Sequence, residues 1–336
     1  MISKTYIPEN YRPRLSLRET ERAIKLVKDG FERNLAEKLN LERISAPLFI
    51  LPASGLNDNL SGVERPVDFD IPCLKDTAEI IHSLAKWKRM ALHRYGFFMG
   101  EGIYTDMNAI RRDEELDNIH SIYVDQWDWE KIMDRSQRTI DYLKEVVGGI
   151  VDALKMTLEQ LKEAFPAITL EIGGEVKFIS SQELLDRYPV LPPKERENAI
   201  CKEYGVVFIT QIGKTLSDGT KHDGRAPDYD DWELNGDLMV WNDVLKSALE
   251  LSSMGIRVDD ESLLSQLKAS GCMDRANLPF HSMLLSKKLP LTIGGGIGQS
   301  RLCMYLLQMA HIGEVQASLW SQEDHDLCES KGVLLL

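Results

Sequence analysis

The fold is decided by Ile293-Gly294-Gly295-Gly296-Ile297-Gly298-Gln299-Ser300-Arg301, a glycine-rich stretch that leads into the apolar segment 302–309. Glycines in a strand remove side chains and let another group approach the backbone closely, and the arginine supplies a fixed cation for a phosphate. The stretch lacks the Gly-Lys-Ser/Thr ending of a P-loop, and no βαβ unit follows it, as a dinucleotide fold requires. Taken alone, it predicts either a turn that packs a strand on a helix or a nucleotide site of another kind.

The composition is that of a globular protein with an acidic surface. The 336 residues are 43% hydrophobic and 28% charged, and the formal net charge is −13. Such a surface repels phosphate backbones, so we expect no nucleic-acid partner, although a local basic pocket for a small anion stays possible. No repeat or linker divides the chain, which predicts one domain over 1–336.

Targeting signals are not visible in the sequence. No run of eighteen apolar residues occurs, so we expect no membrane span, and residues 1–14 lack the apolar region of a secretory signal. The five cysteines are scattered and none forms a Cys-x-x-Cys pair. Reduced thiols in the cytoplasm explain this pattern better than disulfides or zinc ligands.

Hydrophobic periodicity gives a coarse order of elements. A capping box, Ser16 with Glu19, starts a helix that runs to Asn40. The other predicted helices cover 78–95, 130–164, 260–270 and 277–287. The predicted strands cover 41–49 with an interruption at Pro47, 103–111, 119–128, 175–180, 205–212 and the glycine-rich stretch, with a hairpin at 234–254. Helices and strands do not alternate, so we expect an α+β fold whose sheet is mixed or antiparallel.

Strand 119–128 carries the first candidate site. With period two, Val124, Gln126 and Asp128 share one face, and Trp127 and Trp129 take the other. A carboxylate that is buried needs a partner. The pattern predicts either a ligand-facing row or a strand that emerges into solvent.

Asp237 and Glu250 form the second candidate site. If the hairpin turns near 242–244, these carboxylates lie opposite each other with Cβ atoms roughly 5 Å apart. They would repel unless a cation lies between them, and Mg²⁺ is commonly held by one or two carboxylates plus phosphates. A solvated hairpin, or neutralisation by Lys246, explains the pair equally well.

Two further segments combine charges of interest. The loop 214–233 mixes both signs with glycines and aromatics, and the segment 82–89 is one of the few basic clusters in an acidic chain. Arg111 follows a strand and precedes the acidic turn 113–118. Each of these has a plain alternative as a solvated surface. No His-Glu-x-x-His or Gly-x-Ser-x-Gly motif occurs.

Together these segments resemble the class II aminoacyl-tRNA synthetase core. The helix and strand ending at Pro47 look like motif 1, the strand with Arg111 and its acidic turn like motif 2, and the glycine-rich strand with Arg301 like motif 3. Two positions differ, because motif 2 usually has Glu where this chain has Asp113, and motif 3 usually has Glu where it has Ser300. No anticodon-binding domain fits in the remaining length.

The chain resembles ammonia-dependent asparagine synthetases (aspartate–ammonia ligases) more closely. The matching stretches are Asn57–Gly62, His82–Arg89, Tyr123–Glu130, Arg225–Trp232, Leu234–Trp241, Glu250–Val258 and Ile293–Arg301. The resemblance implies a class II synthetase-like catalytic core over about 16–320, with a mixed, largely antiparallel sheet flanked by helices, and a homodimer through motif 1. An aminoacylating or adenylate-binding protein without amide synthesis remains the alternative.

The resemblance also implies a two-step reaction with ATP, L-aspartate and ammonia as small-molecule substrates. ATP and aspartate give β-aspartyl-AMP and pyrophosphate, and ammonia then displaces AMP. The implied metal is Mg²⁺, held by Asp237 and Glu250. The implied nucleotide contacts are Arg111, Val124, Glu250, Leu251, Ser252, Ser253, Arg257 and Arg301.

For aspartate, the resemblance implies that Lys88 and Arg225 bind the α-carboxylate and that Asp128 and Asp230 bind the α-ammonium group. Further contacts are implied for Ser83, Gln126, Tyr229, Ser253, Gly294 and Gly295. The implied catalytic residues are Asp58, Arg111 and Gln126, with Asp58 holding ammonium and assisting its deprotonation. No cysteine has an evident base nearby, so we expect ammonia and not glutamine as the nitrogen donor.

Overall fold

The computed structural model describes residues 4–58 and 64–336. Four positions of the 57–62 stretch, Asn59, Leu60, Ser61 and Gly62, lie outside the described residues. Within the described ranges, a large sheet has the strand order β1-β5-β6-β11-β10-β9-β8-β7, and β2-β4-β3 form a small sheet. The strands are β1 (Leu41–Arg43), β2 (Phe49–Ile50), β3 (Asp68–Ile71), β4 (Asp76–Ile80), β5 (Gly102–Ile110), β6 (Tyr123–Ile132), β7 (Lys177–Ser180), β8 (Val206–Thr210), β9 (Asp230–Asn242), β10 (Ser247–Arg257) and β11 (Thr292–Gly298).

The large sheet is mixed, and its central strands are antiparallel. β1 runs parallel to β5 and β7 runs parallel to β8, at the two edges. The pairs between them, from β5–β6 across to β8–β9, are antiparallel. This confirms the predicted α+β class with a largely antiparallel sheet.

The helices are α1 (Leu17–Leu39), α2 (Ala85–Tyr95), α3 (Ile140–Ala164), α4 (Ser181–Arg187), α5 (Pro193–Tyr204), α6 (Asp260–Ala269), α7 (Pro279–Leu285), α8 (Gln299–Leu306) and α9 (Gln322–Ser330). The capping box that starts α1 is confirmed, since the Glu19 carboxylate accepts hydrogen bonds from the backbone N and Oγ of Ser16. Among the described residues, no helix is both long and apolar enough to cross a membrane.

The two faces of the large sheet differ in what covers them. α1, α3 and α8 pack on one face and form the main core with Trp127 and Trp129, whose side chains are fully buried. On the other face, α2 covers β5 and β6 through Leu84, Ala91 and their neighbours, and α5 covers β8 to β10. Polar residues occupy the strip between α2 and α5, and this strip carries the candidate site.

Three predicted boundaries were wrong, each because strand pairing overrode local pattern. The segment 78–95 is helical only from Ala85, because 76–80 pair with β3 and β2. The strand predicted over 41–49 ends at Arg43, and the later residues Phe49 and Ile50 pair with β4 in the small sheet. The helix predicted from 130 begins at Ile140, because β6 continues to Ile132 between β5 and β11.

Candidate active site

A cleft made of two connected cavities opens on the polar strip. The larger cavity has a volume of about 450 Å³, and the smaller cavity has a volume of about 220 Å³. Five residues line both cavities, namely Arg111, Glu114, Gln126, Glu250 and Gly296. A ligand with two chemically different halves can therefore lie across them.

The face predicted for strand β6 is confirmed. Gln126 and Asp128 line the larger cavity and Val124 lines the smaller one, while Trp127 and Trp129 lie in the core behind them. Gly296 lies between the first two residues. A Cβ atom there would contact Gln126 Oε1 and come within 2.7 Å of Asp128 Oδ1. The space beside Gly296 is therefore taken by these two side chains, which themselves line the cleft.

Gly294 and Gly295 also lack space for a side chain. A Cβ atom on Gly294 would overlap Oε2 of Glu130 and lie 2.7 Å from the Trp129 carbonyl oxygen, and Gly294 lines neither cavity. A Cβ atom on Gly295 would lie 2.5 Å from Cβ of Met254. Neighbouring protein atoms fill the space beside both glycines, so packing accounts for their missing side chains, and their contacts with aspartate stay a prediction. Gly295 still lines the larger cavity.

Glu130 is a residue that the sequence analysis missed. Its buried carboxylate accepts hydrogen bonds from Arg257 Nη2 at 2.8 Å and from Thr292 Oγ1 at 2.7 Å. Arg257 also donates to Asp230. This network ties β6, β9, β10 and β11 together beneath the larger cavity. Arg257 lines that cavity, but its guanidinium group is committed to the two carboxylates.

Lys88 reaches the larger cavity from α2. Its Nζ donates to the Gly295 carbonyl oxygen at 2.9 Å and lies 3.2 Å from Asp128 Oδ2. Burial lowers the pKa of Lys88. A cation and an anion therefore lie side by side in the wall of the cavity, at a spacing that suits the two charged groups of an amino acid.

Arg225 brings a second cation to the same cavity from the long loop before β9. It donates to Asp237 Oδ1 at 2.6 Å and to Ser253 Oγ, and its Nε lies 3.9 Å from Asp230 Oδ2. Tyr229 lines the cavity beside it. The structure thus brings together five predicted aspartate contacts from sequence positions far apart: Lys88, Asp128, Arg225, Tyr229 and Asp230.

The β9–β10 hairpin is confirmed, but its predicted register was wrong. Asp237 pairs with Ser253, and Glu250 pairs with Met239, because the hairpin turns at 243–246, later than predicted. The two carboxylates still share one face of the hairpin. Burial, together with repulsion from Glu250, raises the pKa of Asp237 to about 7 against the opposing effect of Arg225. Glu250 lines both cavities, whereas Asp237 lies behind Arg225 and lines neither.

Arg111 and Arg301, the two arginines predicted to contact the nucleotide, both line the smaller cavity. Arg111 lines both cavities, and its Nη1 lies 3.7 Å from Oε2 of Glu114. Arg301 lines the smaller cavity, where its Nη1 donates to the Glu250 carbonyl oxygen at 3.3 Å. Leu251 lines the smaller cavity too, but Ser252 is buried and lines neither cavity.

Glu114 is a second residue that the sequence analysis missed. Asp113, which stands where motif 2 usually has Glu, pairs instead with Arg65. Glu114 takes the place beside Arg111 one position later. The acidic turn 113–118 was the signal, but its sequence does not tell which carboxylate turns inward.

Asp58, His82 and Ser83 also line the larger cavity. Asp58 is buried, and its carbonyl oxygen lies 3.1 Å from Nδ1 of His82. His82 lay in a stretch singled out from the sequence, yet no role was predicted for it.

Comparison with known proteins places this cleft in a family. A family model described as aspartate–ammonia ligase matches residues 18–332. The chain belongs to the aspartate–ammonia ligase family. A Clostridium perfringens aspartate–ammonia ligase is 60% identical over 336 residues, which cover 100% of both chains. A Clostridium tetani aspartate–ammonia ligase is 61% identical over 331 residues, which cover 98% of this chain and 97% of the relative. The predicted family is thereby confirmed.

Solved structures bear out the predicted fold of this ligase. An asparaginyl-tRNA synthetase from Pyrococcus horikoshii, complexed with asparaginyl-adenylate, superposes with a TM-score of 0.63 at 16% identity, over 95% of this chain and 77% of that one. An Entamoeba histolytica asparaginyl-tRNA synthetase, also with asparaginyl-adenylate, gives a TM-score of 0.64 at 12% identity, over 89% of this chain and 66% of that one. At these identities the likeness concerns the fold alone.

Proposed function

We propose that this ligase makes L-asparagine from L-aspartate and ammonia through β-aspartyl-AMP, with release of AMP and pyrophosphate. The observation that carries the proposal is the cleft of two cavities with Arg111 at their junction. The larger cavity holds paired charges that match an amino acid, and the smaller cavity holds Arg301. A carboxylate and an α-phosphate that enter from the two sides would meet beside Arg111.

Aspartate would bind in the larger cavity through its backbone charges. Lys88 and Arg225 offer cations for the α-carboxylate, and Asp128 and Asp230 offer anions for the α-ammonium group. Each of these groups already lies near a group of opposite charge. The charges of the site therefore balance one another in the absence of substrate. Ser83, Tyr229 and Ser253 add polar contacts, and the side chain would point toward Gln126 and Asp58.

ATP would place its base and ribose in the smaller cavity. Val124 and Leu251 give that cavity apolar walls, and Arg301 offers a flat guanidinium for stacking on the purine. Arg111 would bind the α-phosphate, where negative charge increases during attack by the β-carboxylate. We keep the absence of a nucleic-acid partner as a prediction, together with the homodimer and the cytoplasmic location.

Mg²⁺ is the metal that this site suits. Among the described residues, no group of three or more His, Cys, Asp or Glu side chains could hold a metal by itself. Glu250 lines both cavities and provides a hard oxygen donor that Mg²⁺ can combine with substrate phosphates, and Asp237, on the same face of the hairpin and paired with Arg225, would be the second carboxylate. Their mutual repulsion, visible in the raised pKa of Asp237, is relieved by a cation. When bound, the ion would neutralise and orient the phosphates of ATP.

We expect Glu250→Gln to raise the Mg²⁺ concentration needed for half-maximal ATP–pyrophosphate exchange by about tenfold, since one anionic ligand is lost. The measurement is exchange at fixed ATP over a Mg²⁺ titration. Asp243→Asn, in the exposed turn of the same hairpin, is the matched control. An unchanged Mg²⁺ requirement in Glu250→Gln would contradict the metal role.

Asp58 would bind ammonium and take one of its protons, because free ammonia is the nucleophile. We therefore expect Asp58→Asn to slow asparagine formation by about 100-fold or more while aspartate-dependent ATP–pyrophosphate exchange stays near the wild-type rate. Asp68→Asn, on an exposed strand of the small sheet, controls for loss of a charge. Equal loss of both steps would refute the ammonia role.

The overall reaction is tested by product analysis. Purified protein with aspartate, ATP, Mg²⁺ and ammonium should give asparagine, AMP and pyrophosphate in equal amounts. Formation of ADP and phosphate would rule out the adenylate route. Exchange without asparagine formation would favour an adenylate-binding protein that lacks amide synthesis.

A further inference from the structure

His82 lines the larger cavity from the bend between β4 and α2. Its backbone N–H donates to Oδ1 of Asn57 at 3.0 Å, and its ring Nδ1 lies 3.1 Å from the Asp58 carbonyl oxygen. A carbonyl oxygen only accepts hydrogen bonds, so Nδ1 carries the proton in this contact. The other ring nitrogen, Nε2, therefore presents a lone pair when the imidazole is neutral.

That lone pair has no protein partner among residues 4–58 and 64–336. Nε2 of His82 is buried without a hydrogen bond there, and the residue is 1% exposed although it lines the cavity. A buried acceptor without a donor is costly, and such atoms in native proteins usually meet water or a ligand. The cavity side of His82 therefore calls for a ligand that carries an N–H or O–H group.

The surroundings of His82 favour the neutral ring. Burial lowers its pKa, and the Arg111 cation lowers it further, while the hydrogen bond to the Asp58 carbonyl oxygen and the carboxylates of Glu64 and Glu79 act in the opposite direction. A neutral ring can accept a hydrogen bond from a cation, whereas a protonated ring would repel it. His82 and Arg111 line the same cavity.

Only some of the reactants carry a group that can donate a hydrogen bond to Nε2 of His82. Carboxylates and phosphates offer only acceptors. The α-ammonium group of aspartate has Asp128 and Asp230 as its acceptors, and ribose belongs to the smaller cavity, which His82 does not line. The nitrogen substrate is the donor that remains.

We propose that Nε2 of His82 accepts a hydrogen bond from ammonium and then from ammonia, and so holds the nitrogen substrate beside the acyl carbon. The proposal rests on the proposed function. The Asp58 carboxylate would be the second acceptor, since it lines the same cavity. Together the two acceptors would orient the nitrogen lone pair toward the acyl carbon.

The test compares two amide substitutions. His82→Asn retains a donor near the Nδ1 position for the Asp58 carbonyl oxygen but removes the acceptor at Nε2, whereas His82→Gln returns an amide oxygen near that position. With aspartate and ATP saturating, we expect His82→Asn to raise KM for ammonium by about 10- to 100-fold, as befits a lost hydrogen bond to a charged group. We expect His82→Gln to recover most of this loss.

Aspartate-dependent ATP–pyrophosphate exchange needs no nitrogen substrate, so it should stay within about threefold of wild type in both variants. An unchanged KM for ammonium in His82→Asn would show that Nε2 holds only water and would overturn the proposal. Parallel loss of exchange and synthesis in both variants would assign His82 a structural role and overturn it as well. Wild-type exchange tests the adenylate route separately, so the two proposals can fail independently.

Discussion

Replacing Arg111 with alanine is expected to lower aspartate-dependent ATP–pyrophosphate exchange by about 10³-fold or more, the size of effect that a transition-state arginine has in phosphoryl transfer. Arg111 lines both cavities of the cleft, and its Nε is buried without a hydrogen-bond partner among the described residues. The Arg111 guanidinium group can therefore form a hydrogen bond with a substrate group, such as the α-phosphate of ATP. Initial rates of exchange with labelled pyrophosphate give the measurement.

Arg111→Lys serves as the graded variant, since it keeps the charge but loses the flat, bidentate donor set. We expect it to retain more activity than alanine and less than wild type. Arg187→Ala, which removes an exposed partner of Glu203, should leave exchange unchanged. A wild-type rate in Arg111→Ala, with unaltered thermal stability, would remove Arg111 from the phosphate site.

Gly294→Ala is expected to destabilise the protein by about 3–5 kcal/mol, the cost of disrupting a buried ion pair. The new methyl group would overlap the Glu130 carboxylate and lie 2.7 Å from the Trp129 carbonyl oxygen. Glu130 cannot move without leaving Arg257 and Thr292. Thermal and denaturant unfolding, compared with wild type at one protein concentration, provide the measurement.

Gly148→Ala is the matched control. Gly148 lies inside α3, and a Cβ atom there would meet nothing within 4 Å. Alanine is the better helix former by about 1 kcal/mol, so this variant should be as stable as wild type or more so. If both variants unfolded alike, the space around Gly294 would not be as tightly filled as the structure indicates.

The elements that could be predicted from the sequence are those with strong local signals. The capping box of Ser16 and Glu19 and the apolar periodicity behind it identify α1 because the helix is specified by its own residues. The alternation around Trp127 predicts which face of β6 is buried. The errors occurred where strand pairing determines the secondary structure, as at 76–80. A short segment becomes a strand only when it forms hydrogen bonds with a neighbouring strand.

The candidate site likewise has residues that the sequence identified and residues that only the structure revealed. Residue types and order were enough to name Lys88, Asp128, Arg225 and Arg111, because charged groups at recognisable motif positions carry the family resemblance. The hairpin register could not be predicted, since a small displacement of the turn, to 243–246, places Glu250 opposite Met239 and not opposite Asp237. Glu130, Glu114 and His82 were missed because their significance lies in contacts with residues distant in sequence.

The sequence by itself determined the family, the α+β class and most of the charged groups that meet in the cleft. Only the tertiary structure decided what each glycine of 294–296 does. The space beside Gly296 is taken by Gln126 and Asp128, which line the cleft, while the space beside Gly294 is taken by Glu130 in the network beneath it. The physical reason is that a missing side chain leaves a volume, and which atoms fill that volume depends on strands that the local sequence does not contain.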